Sequence, residues 1–270
     1  MRSQNNAPNS PFQIGWNQAL GAAIEALDTP GFPRILGALL SMVAPFQMLN
    51  GFRYSRTGNA FDLYNEQAGD KRPAIVDNYL AGAYILDPFY DAVRRNEAPR
   101  LLTLTGLAPD DFRQSEYYHR HYCTTGIVDE IGFVLSLADG SVGILSLCRL
   151  DAAGPFTKHE IQSFESMSAI ICPLAGHHWS SRLPLPRTQV APPAAIDHAS
   201  LTPREREIVT LILKGHSSIS IAALLSLSPE TVKVHRRRIY AKLKISSQAE
   251  LFRVFLTEHR QAAPEELVGG

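Results

Sequence analysis

The stretch LSPETVKVHRRRIYAKLK, from Leu227 to Lys244, decides the fold of the carboxyl-terminal part of the chain. The hydroxyl of Ser228 can cap the N-terminus of a helix, and Pro229 then takes the first helical position, where its missing N–H costs no hydrogen bond. From Thr231 onward the stretch carries six lysine and arginine residues and no acidic residue. We therefore predict a basic helix over this stretch.

This basic helix has two faces of different character. At about 100° of rotation per residue, its side chains divide into an apolar face and a basic face. The apolar face consists of Val232, Ile239 and Leu243. The basic face consists of Lys233, Val234, Arg237 and Lys244. A helix that buries one side and offers cations and a small apolar residue on the other fits a DNA major groove, although in isolation it could be a solvated surface. The candidate DNA-binding residues are Thr231, Lys233, Val234, His235, Arg236, Arg237, Arg238, Lys242 and Lys244.

Three further helices are predicted around the basic helix. Thr202 and Glu205 have the spacing of a capping box that opens the first helix, and Gly215 ends it. A second helix, 219–225, leads through a short turn into the basic helix, and a fourth helix follows Ser247. This order predicts an all-α, four-helix helix-turn-helix domain.

Residues 201–258 resemble the C-terminal DNA-binding domain of the LuxR/NarL-type regulators. The matching positions are Leu201, Thr202, Arg204, Glu205, Glu207, Gly215, Ile221, Ala222, Leu225, Ser228, Thr231, Val232, Lys233, His235, Ile239 and Leu243. The resemblance implies base-edge contacts by Lys233, Val234 and Arg237, and phosphate contacts by the residues around them. The chain departs from the family pattern at 218–220, where Ser-Ile-Ser replaces a usual Asn-Lys-Glu and removes a phosphate-contacting lysine.

Charge is unevenly distributed along the 270 residues. The totals balance, at 26 Lys+Arg against 26 Asp+Glu. Residues 1–198 carry 15 basic and 19 acidic residues, whereas residues 199–270 carry 11 basic and 7 acidic residues. The net charge of the whole chain is therefore zero although its C-terminal end is basic, and a basic end favours DNA binding.

Cysteine usage and hydropathy indicate the compartment. Three cysteines without short spacing suit a reducing cytoplasm and do not predict a disulfide framework. These are Cys123, Cys148 and Cys172. The longest apolar run, 35–46, is interrupted by Pro45 and is too short to span a bilayer, and the first residues lack a signal-peptide core. We expect a cytoplasmic protein without a membrane segment.

The first 182 residues predict an α+β domain. Two β-hairpins are expected, one from strands 46–54 and 60–64 and one from strands 127–137 and 142–148. Helices are expected at 11–28, 33–44 and 73–83, from Pro109 through Tyr122, and from Thr157 towards Trp179 with a kink or interruption at Pro173. An antiparallel sheet with flanking helices suits a PAS- or GAF-like ligand sensor and not a phosphoacceptor receiver. The proline-rich segment 183–198 is predicted to be a linker to the DNA-binding domain at 199–270.

A second resemblance concerns the ligand of this N-terminal domain. The segment 77–88, with its Tyr…Asp-Pro element, and the strand at 143–147 resemble parts of the LuxR autoinducer-binding domain. The resemblance implies polar ligand contacts by Tyr79, Asp87 and Ser146. The family's tryptophan before that tyrosine is replaced by Ile75.

The residues around Asp87 also suggest a different kind of ligand. A carboxylate beside several aromatic rings suits a small amine, through charge pairing and cation–π attraction. The candidate ligand-binding residues are Tyr79, Tyr84, Asp87, Phe89 and Ser146. Their structural alternatives are core packing for the aromatic residues and a helix cap for Asp87. Asp129 and Glu130 are expected to face solvent at the start of a strand.

We predict a ligand-responsive bacterial transcription regulator that binds double-stranded DNA as a homodimer, in the manner of quorum-sensing regulators. No catalytic, cofactor or metal motif is recognised, and H-x-H-x-C at 119–123 lacks a partner pair for zinc. We therefore expect no enzyme activity, no cofactor and no metal. The alternatives are a constitutive DNA-binding factor whose N-terminal domain only dimerises, and a regulator controlled by a partner protein.

Overall fold

The computed structural model describes residues 11–95, 100–182 and 198–262. The predicted linker, 183–198, lies outside the described residues except for His198, so the predicted domain limits remain a proposal. The described part divides into an N-terminal α+β domain and a C-terminal helical domain, as predicted. Within the described ranges, no helix is both long and apolar enough to cross a bilayer.

A five-stranded antiparallel sheet forms the centre of the N-terminal domain, with strand order β2-β1-β5-β4-β3. The strands are β1 (Met48–Tyr54), β2 (Ala60–Tyr64), β3 (Leu101–Thr103), β4 (Ile127–Ser136) and β5 (Val142–Leu150). Both predicted hairpins are present, β1 with β2 and β4 with β5. The strands β1 and β5 join the two hairpins, with Gly51 opposite Leu145. The edge strand β3 was not predicted.

Helices cover both faces of this sheet. They are α1 (Pro11–Glu25), α2 (Phe32–Ser41), α3 (Asn78–Leu80), α4 (Pro88–Arg94), α5 (Leu104–Leu107), α6 (Glu116–Tyr118) and α7 (Lys158–Ser180). Shorter 3₁₀-helical turns lie at Glu66–Lys71, Ala83–Leu86, Phe112–Gln114 and Asp151–Ala153, and π-helical turns lie at Pro73–Asp77 and His119–Cys123. A capping box of Thr157 and Glu160 opens α7 at the predicted start of this helix.

The two faces of the sheet differ in polarity because successive side chains of a strand point to opposite faces. On β5, Leu145 and Leu147 belong to an apolar core shared with α2 and α7. On the opposite face of the same strand, Ser146 lies between Ile144 and Cys148 and faces the segments that run from α3 to α6. The buried polar residues Asn50, Glu130 and Ser146 of the sheet therefore lie on this second face.

The C-terminal domain consists of four helices, as predicted. They are α8 (Pro203–Lys214), α9 (Ser218–Leu225), α10 (Pro229–Leu243) and α11 (Gln248–Ala262). The capping box of Thr202 and Glu205 is formed, and Gly215 ends α8 with a left-handed φ of 90°. Val232 and Ile239, on the apolar face of α10, are buried in the core of this domain.

Several predicted details of the N-terminal domain are wrong. The helix predicted at 11–28 ends at Glu25, and three of its apolar residues, Phe12, Ile14 and Ile24, are 48%, 50% and 51% exposed. The helix predicted from Pro109 through Tyr122 begins only at Glu116, after a separate 3₁₀ turn at Phe112–Gln114, and becomes π-helical at His119–Cys123. The helix α7 continues through Pro173 without interruption. Glu130 and Asp129 are buried and do not face solvent. Tyr122 covers Glu130 and donates a hydrogen bond to its carboxyl group, whereas the segment before α7 covers Asp129, which accepts a hydrogen bond from the backbone N–H of Phe156.

Candidate DNA-binding helix and ligand cavity

The basic face of α10 is open to solvent. The predicted base-reading side chains Lys233, Val234 and Arg237 are all exposed, Val234 to 40% in spite of its apolar character. Arg238, Lys242 and Lys244 are also exposed, whereas Thr231, His235 and Arg236 are half-buried. The helix therefore presents the predicted cations on the side opposite Val232 and Ile239, which are fully buried.

One predicted DNA-binding residue has a second role inside the domain. The Nζ atom of Lys242 lies 2.6 Å from the Oε2 atom of Glu205, whose side chain is only 5% exposed. Glu205 also closes the capping box at the start of α8. Lys242 therefore ties α10 to α8.

The second candidate site is a cavity under the polar face of the sheet. Its volume is about 10 Å³, which is room for about one water molecule. The lining residues are Asn50, Phe52, Tyr54, Tyr79, Asp87, Phe89, His121, Ile127, Glu130, Ile144 and Ser146. Four of the five predicted ligand-binding residues thus meet at one place, namely Tyr79, Asp87, Phe89 and Ser146. The fifth, Tyr84, packs against Tyr79 and Tyr90, with ring centroids 6.2 and 5.1 Å apart, and does not line the cavity.

Asp87 lies at one end of the cavity and has two hydrogen-bond donors. Its Oδ1 atom accepts a hydrogen bond from the backbone N–H of Phe89 at 2.8 Å and so caps α4. Its Oδ2 atom accepts one from the Tyr79 hydroxyl at 2.6 Å. Burial raises the pKa of Asp87 to about 6, although both hydrogen bonds favour the ionised form. The predicted helix cap and the predicted cavity residue are therefore the same side chain.

Glu130 on β4 brings a second carboxyl group to the cavity. Its Oε2 atom accepts a hydrogen bond from the Tyr122 hydroxyl at 2.8 Å. Burial, together with the charge of Asp87, raises the pKa of Glu130 to about 7. Burial also raises the pKa of Tyr79 and of Tyr122 well above 10.0, so both phenols stay protonated and act as donors. Glu130 was not among the ligand-binding residues predicted from the sequence.

Aromatic rings from both the sheet and the helices line the cavity. The ring of Phe52 on β1 and that of Tyr79 on α3 lie 4.3 Å apart between centroids. The ring of Phe89 packs against β4 at Gly132, where an added Cβ would come within 3.0 Å of it. Glycine at this position therefore allows α4 to approach the sheet. No group of three or more His, Cys, Asp or Glu side chains in the described ranges is arranged to hold a metal ion.

The two domains contact each other beside the cavity. The Nζ atom of Lys214, at the end of α8, lies 2.6 Å from both carboxylate oxygens of Asp91 on α4. The backbone N–H of Asp111 donates to the Gly215 carbonyl at 3.0 Å. An added Cβ on Gly215 would come within 2.7 Å of the Cα atom of Phe112. On the other side of the contact, the Arg120 guanidinium lies over the ring of Phe252 on α11 at 5.3 Å.

Comparison with known proteins identifies the relatives of the C-terminal domain. Residues 199–255, which comprise α8 to α10 and the first half of α11, match the family described as bacterial regulatory proteins, luxR family. The tetrathionate response regulatory protein TtrR of Salmonella typhimurium is 40% identical over 68 residues, which cover 25% of this chain and 32% of TtrR. This match therefore concerns only a quarter of the chain.

Two further matches extend to the N-terminal domain. The LBD domain of VqsR from Pseudomonas aeruginosa has the same fold with a TM-score of 0.54 and 27% identity, over 61% of this chain and 96% of that domain. A putative HTH-type transcriptional regulator in the exeN 3'region of Aeromonas salmonicida is 32% identical over 191 residues, which cover 66% of this chain and 96% of that protein. Because this relative is matched over almost its whole length, the chain belongs to the luxR family of bacterial regulatory proteins.

Proposed function

We propose that this DNA-binding regulator is ligand-responsive, and that a small molecule bound in the N-terminal cavity changes how the chain binds DNA. The observation that carries this proposal is the position of α4. Asp87 lines the cavity and caps α4, and one turn later Asp91 pairs with Lys214 of the DNA-binding domain. A single short helix therefore connects the cavity with the DNA-binding domain.

On the DNA side, α10 lies in the major groove. Lys233, Val234 and Arg237 read base edges, because these three side chains are exposed on the face opposite the core of the domain. The remaining basic residues of α10 contact phosphates and supply most of the salt-dependent affinity. A domain of this size reads few base pairs. The chain therefore acts as a homodimer on two half-sites about one helical turn apart.

On the ligand side, the cavity between sheet and helices is where a domain of this architecture holds a small molecule. Sequence analysis left two ligand classes open, an autoinducer-like molecule and a small amine. With room for about one water molecule, the cavity accepts either only if its lining moves. Such movement is the physical requirement for a response, because a ligand shifts an equilibrium only when it prefers one state.

The contacts that join the two domains are suited to transmit this movement. Asp91 and Lys214 form a charged pair that is partly shielded from solvent, with side chains 29% and 16% exposed. A shift of the first turn of α4 changes the position of Asp91, which is four residues after Asp87. The orientation of the DNA-binding domain, and with it the spacing of the two recognition helices of a dimer, then changes.

The cavity volume favours a second candidate function. A core with room for only about one water molecule suits an N-terminal domain that dimerises without sensing a ligand. The exposed apolar residues Phe12, Ile14 and Ile24 on α1 are suited to form such a dimer interface. In this case DNA affinity is independent of small molecules.

A titration of the full chain with duplex DNA distinguishes the two functions. The duplex is obtained by in vitro selection, and affinity is measured by fluorescence anisotropy with and without a low-molecular-mass extract of the encoding cells. We expect the extract to change the affinity roughly fivefold or more, the usual lower range of coupling between two sites. An unchanged affinity would favour the dimerisation-only function.

Two lysine variants test the route of the response. Lys214→Met keeps the aliphatic stem but removes the charge that pairs with Asp91, so the response to the extract should shrink. Lys158→Met removes an exposed charge from the first turn of α7 and serves as the matched control. Equal responses of the two variants would contradict the route through α4.

A further inference from the structure

The cavity contains two buried carboxyl groups that pair with no lysine or arginine side chain of the described residues; the imidazole of His121, which also lines the cavity, packs against the rings of Tyr79 and Tyr117. Asp87 and Glu130 are 7% and 8% exposed, and no salt bridge formed by the described residues involves either of them. Buried charges are normally paired, because removing an ionised group from water without compensation costs several kcal/mol or more. Two unpaired carboxyl groups in one cavity therefore need an explanation.

Hydrogen-bond acceptors outnumber donors around this cavity. The Tyr79 and Tyr122 hydroxyls donate to Asp87 and Glu130, and the hydroxyls of Tyr117 and Ser146 lie beside the same two carboxyl groups. A carboxylate can accept about four hydrogen bonds, so both carboxyl groups have acceptor capacity left. Asn50, which is 5% exposed and also lines the cavity, has an Oδ1 atom without a hydrogen-bond partner among the described residues. Two carboxylates together offer about eight acceptor sites, so even with these hydroxyl donors the cavity has acceptor sites left for a donor from a ligand.

The walls of the cavity favour a positively charged donor. The rings of Phe52, Tyr79 and Phe89 line it, and aromatic rings attract a desolvated cation through the negative potential of their faces. An anionic ligand would be repelled by two carboxyl groups. A neutral ester or lactone would bring further acceptors to a site that already has an excess of them.

We propose that the cavity binds the protonated amine of a small ligand, held between the Asp87 and Glu130 carboxylates with the Asn50 Oδ1 atom as a third acceptor. This inference rests on the proposed function, because it assumes that the cavity is the ligand site. An ammonium group is similar in size to a water molecule, and it therefore fits the space that the cavity already has. The remainder of the ligand requires the lining to open.

A set of three probes of similar size tests the charge preference. The full chain is titrated with ethylamine, ethanol or acetate at about pH 8, where an alkylamine is protonated as a lysine side chain is. Binding is followed by thermal shift and by ligand-observed NMR. We expect ethylamine to bind in preference to ethanol, and acetate not to bind. Equal binding of ethylamine and ethanol would overturn the proposal.

Variants of the acidic pair locate the binding. Glu130→Gln removes the charge and can still accept the hydrogen bond from Tyr122, so ethylamine should bind about tenfold more weakly or worse. Asp87→Asn can still cap α4 and should have a similar effect, which provides a second test if the first variant does not fold. Glu165→Gln changes an exposed glutamate of α7 and is the matched control. Unchanged ethylamine binding in a folded Glu130 or Asp87 variant would overturn the proposal.

A fractionated extract separates failure of this inference from failure of the proposed function. The low-molecular-mass extract is divided by cation exchange, and each fraction is tested for its effect on DNA affinity. Activity in the retained fraction supports the amine. Activity only in the unretained fraction overturns the amine but leaves ligand response intact. If no fraction changes DNA affinity, the proposed function fails, and the ethylamine titration still decides the charge preference of the cavity.

Discussion

Replacing Glu130 with glutamine should stabilise the protein, and increasingly so as the pH rises. Burial raises the pKa of Glu130 from 4.5 to about 7. The folded state therefore binds the proton more tightly than the unfolded state does. The contribution of the group to stability is fully present below pH 4.5 and is lost as the pH rises through about 7. Glutamine does not ionise and can still accept the hydrogen bond from Tyr122.

The size of this effect follows from the shift in pKa. A shift of about 2.5 units corresponds to about 3 kcal/mol, at about 1.4 kcal/mol per unit. Glu130→Gln should therefore raise the free energy of unfolding by about 3 kcal/mol near pH 8 and by only about 1 kcal/mol near pH 5, where the wild-type carboxyl group is protonated in the folded state.

Urea unfolding followed by far-UV circular dichroism at several pH values measures this difference. Glu165→Gln, an exposed site on α7, is the control and should follow the wild type at each pH. If the stability of Glu130→Gln and that of the wild type varied with pH in parallel, Glu130 would not be the buried, titrating group that the structure indicates.

Three further substitutions have expected outcomes. Arg237→Ala should cost about 1–3 kcal/mol on a specific duplex and relax the base preference, which in vitro selection with the variant would detect; retention of the wild-type preference would contradict the groove assignment. Lys242→Ala should weaken DNA binding evenly across sequences. It should also lower the free energy of unfolding by about 1–3 kcal/mol, because the buried Glu205 carboxylate then loses its ion-pair partner. Chemical unfolding measures the second effect, and an unchanged midpoint would refute it. Gly215→Ala should strain a residue with a φ of 90° and push against Phe112. Hydrogen exchange of the amide that donates to the Gly215 carbonyl should accelerate, and unaltered exchange would show that the contact between domains tolerates a Cβ atom.

The C-terminal domain was predictable because its signals are local. Helix caps at Thr202, Ser217 and Ser228 and the left-handed C-terminus at Gly215 each depend on residues within one turn. The hairpin of β4 and β5 was predictable for the same reason, since its turn is short. Such features need no knowledge of the distant parts of the chain.

The position of Glu130 could not be read from the sequence for the opposite reason. Strand alternation places Glu130 on the face opposite Ile131 and Phe133, but whether that face is wet or covered depends on residues from other parts of the chain. Here the segment 112–123 covers it, and Tyr122 contacts the carboxyl group directly. Asp91 and Lys214 are 123 positions apart in the sequence, so their ion pair likewise could not be predicted from local sequence patterns.

Control of DNA binding by a small cation in the cavity is tested most directly by native mass spectrometry of the full chain, purified from the encoding cells. We expect a noncovalently bound amine, absent from Glu130→Gln, whose removal and return change the anisotropy of labelled duplex DNA. A chain that carries no bound molecule, and that binds DNA equally with and without the extract, would contradict the account.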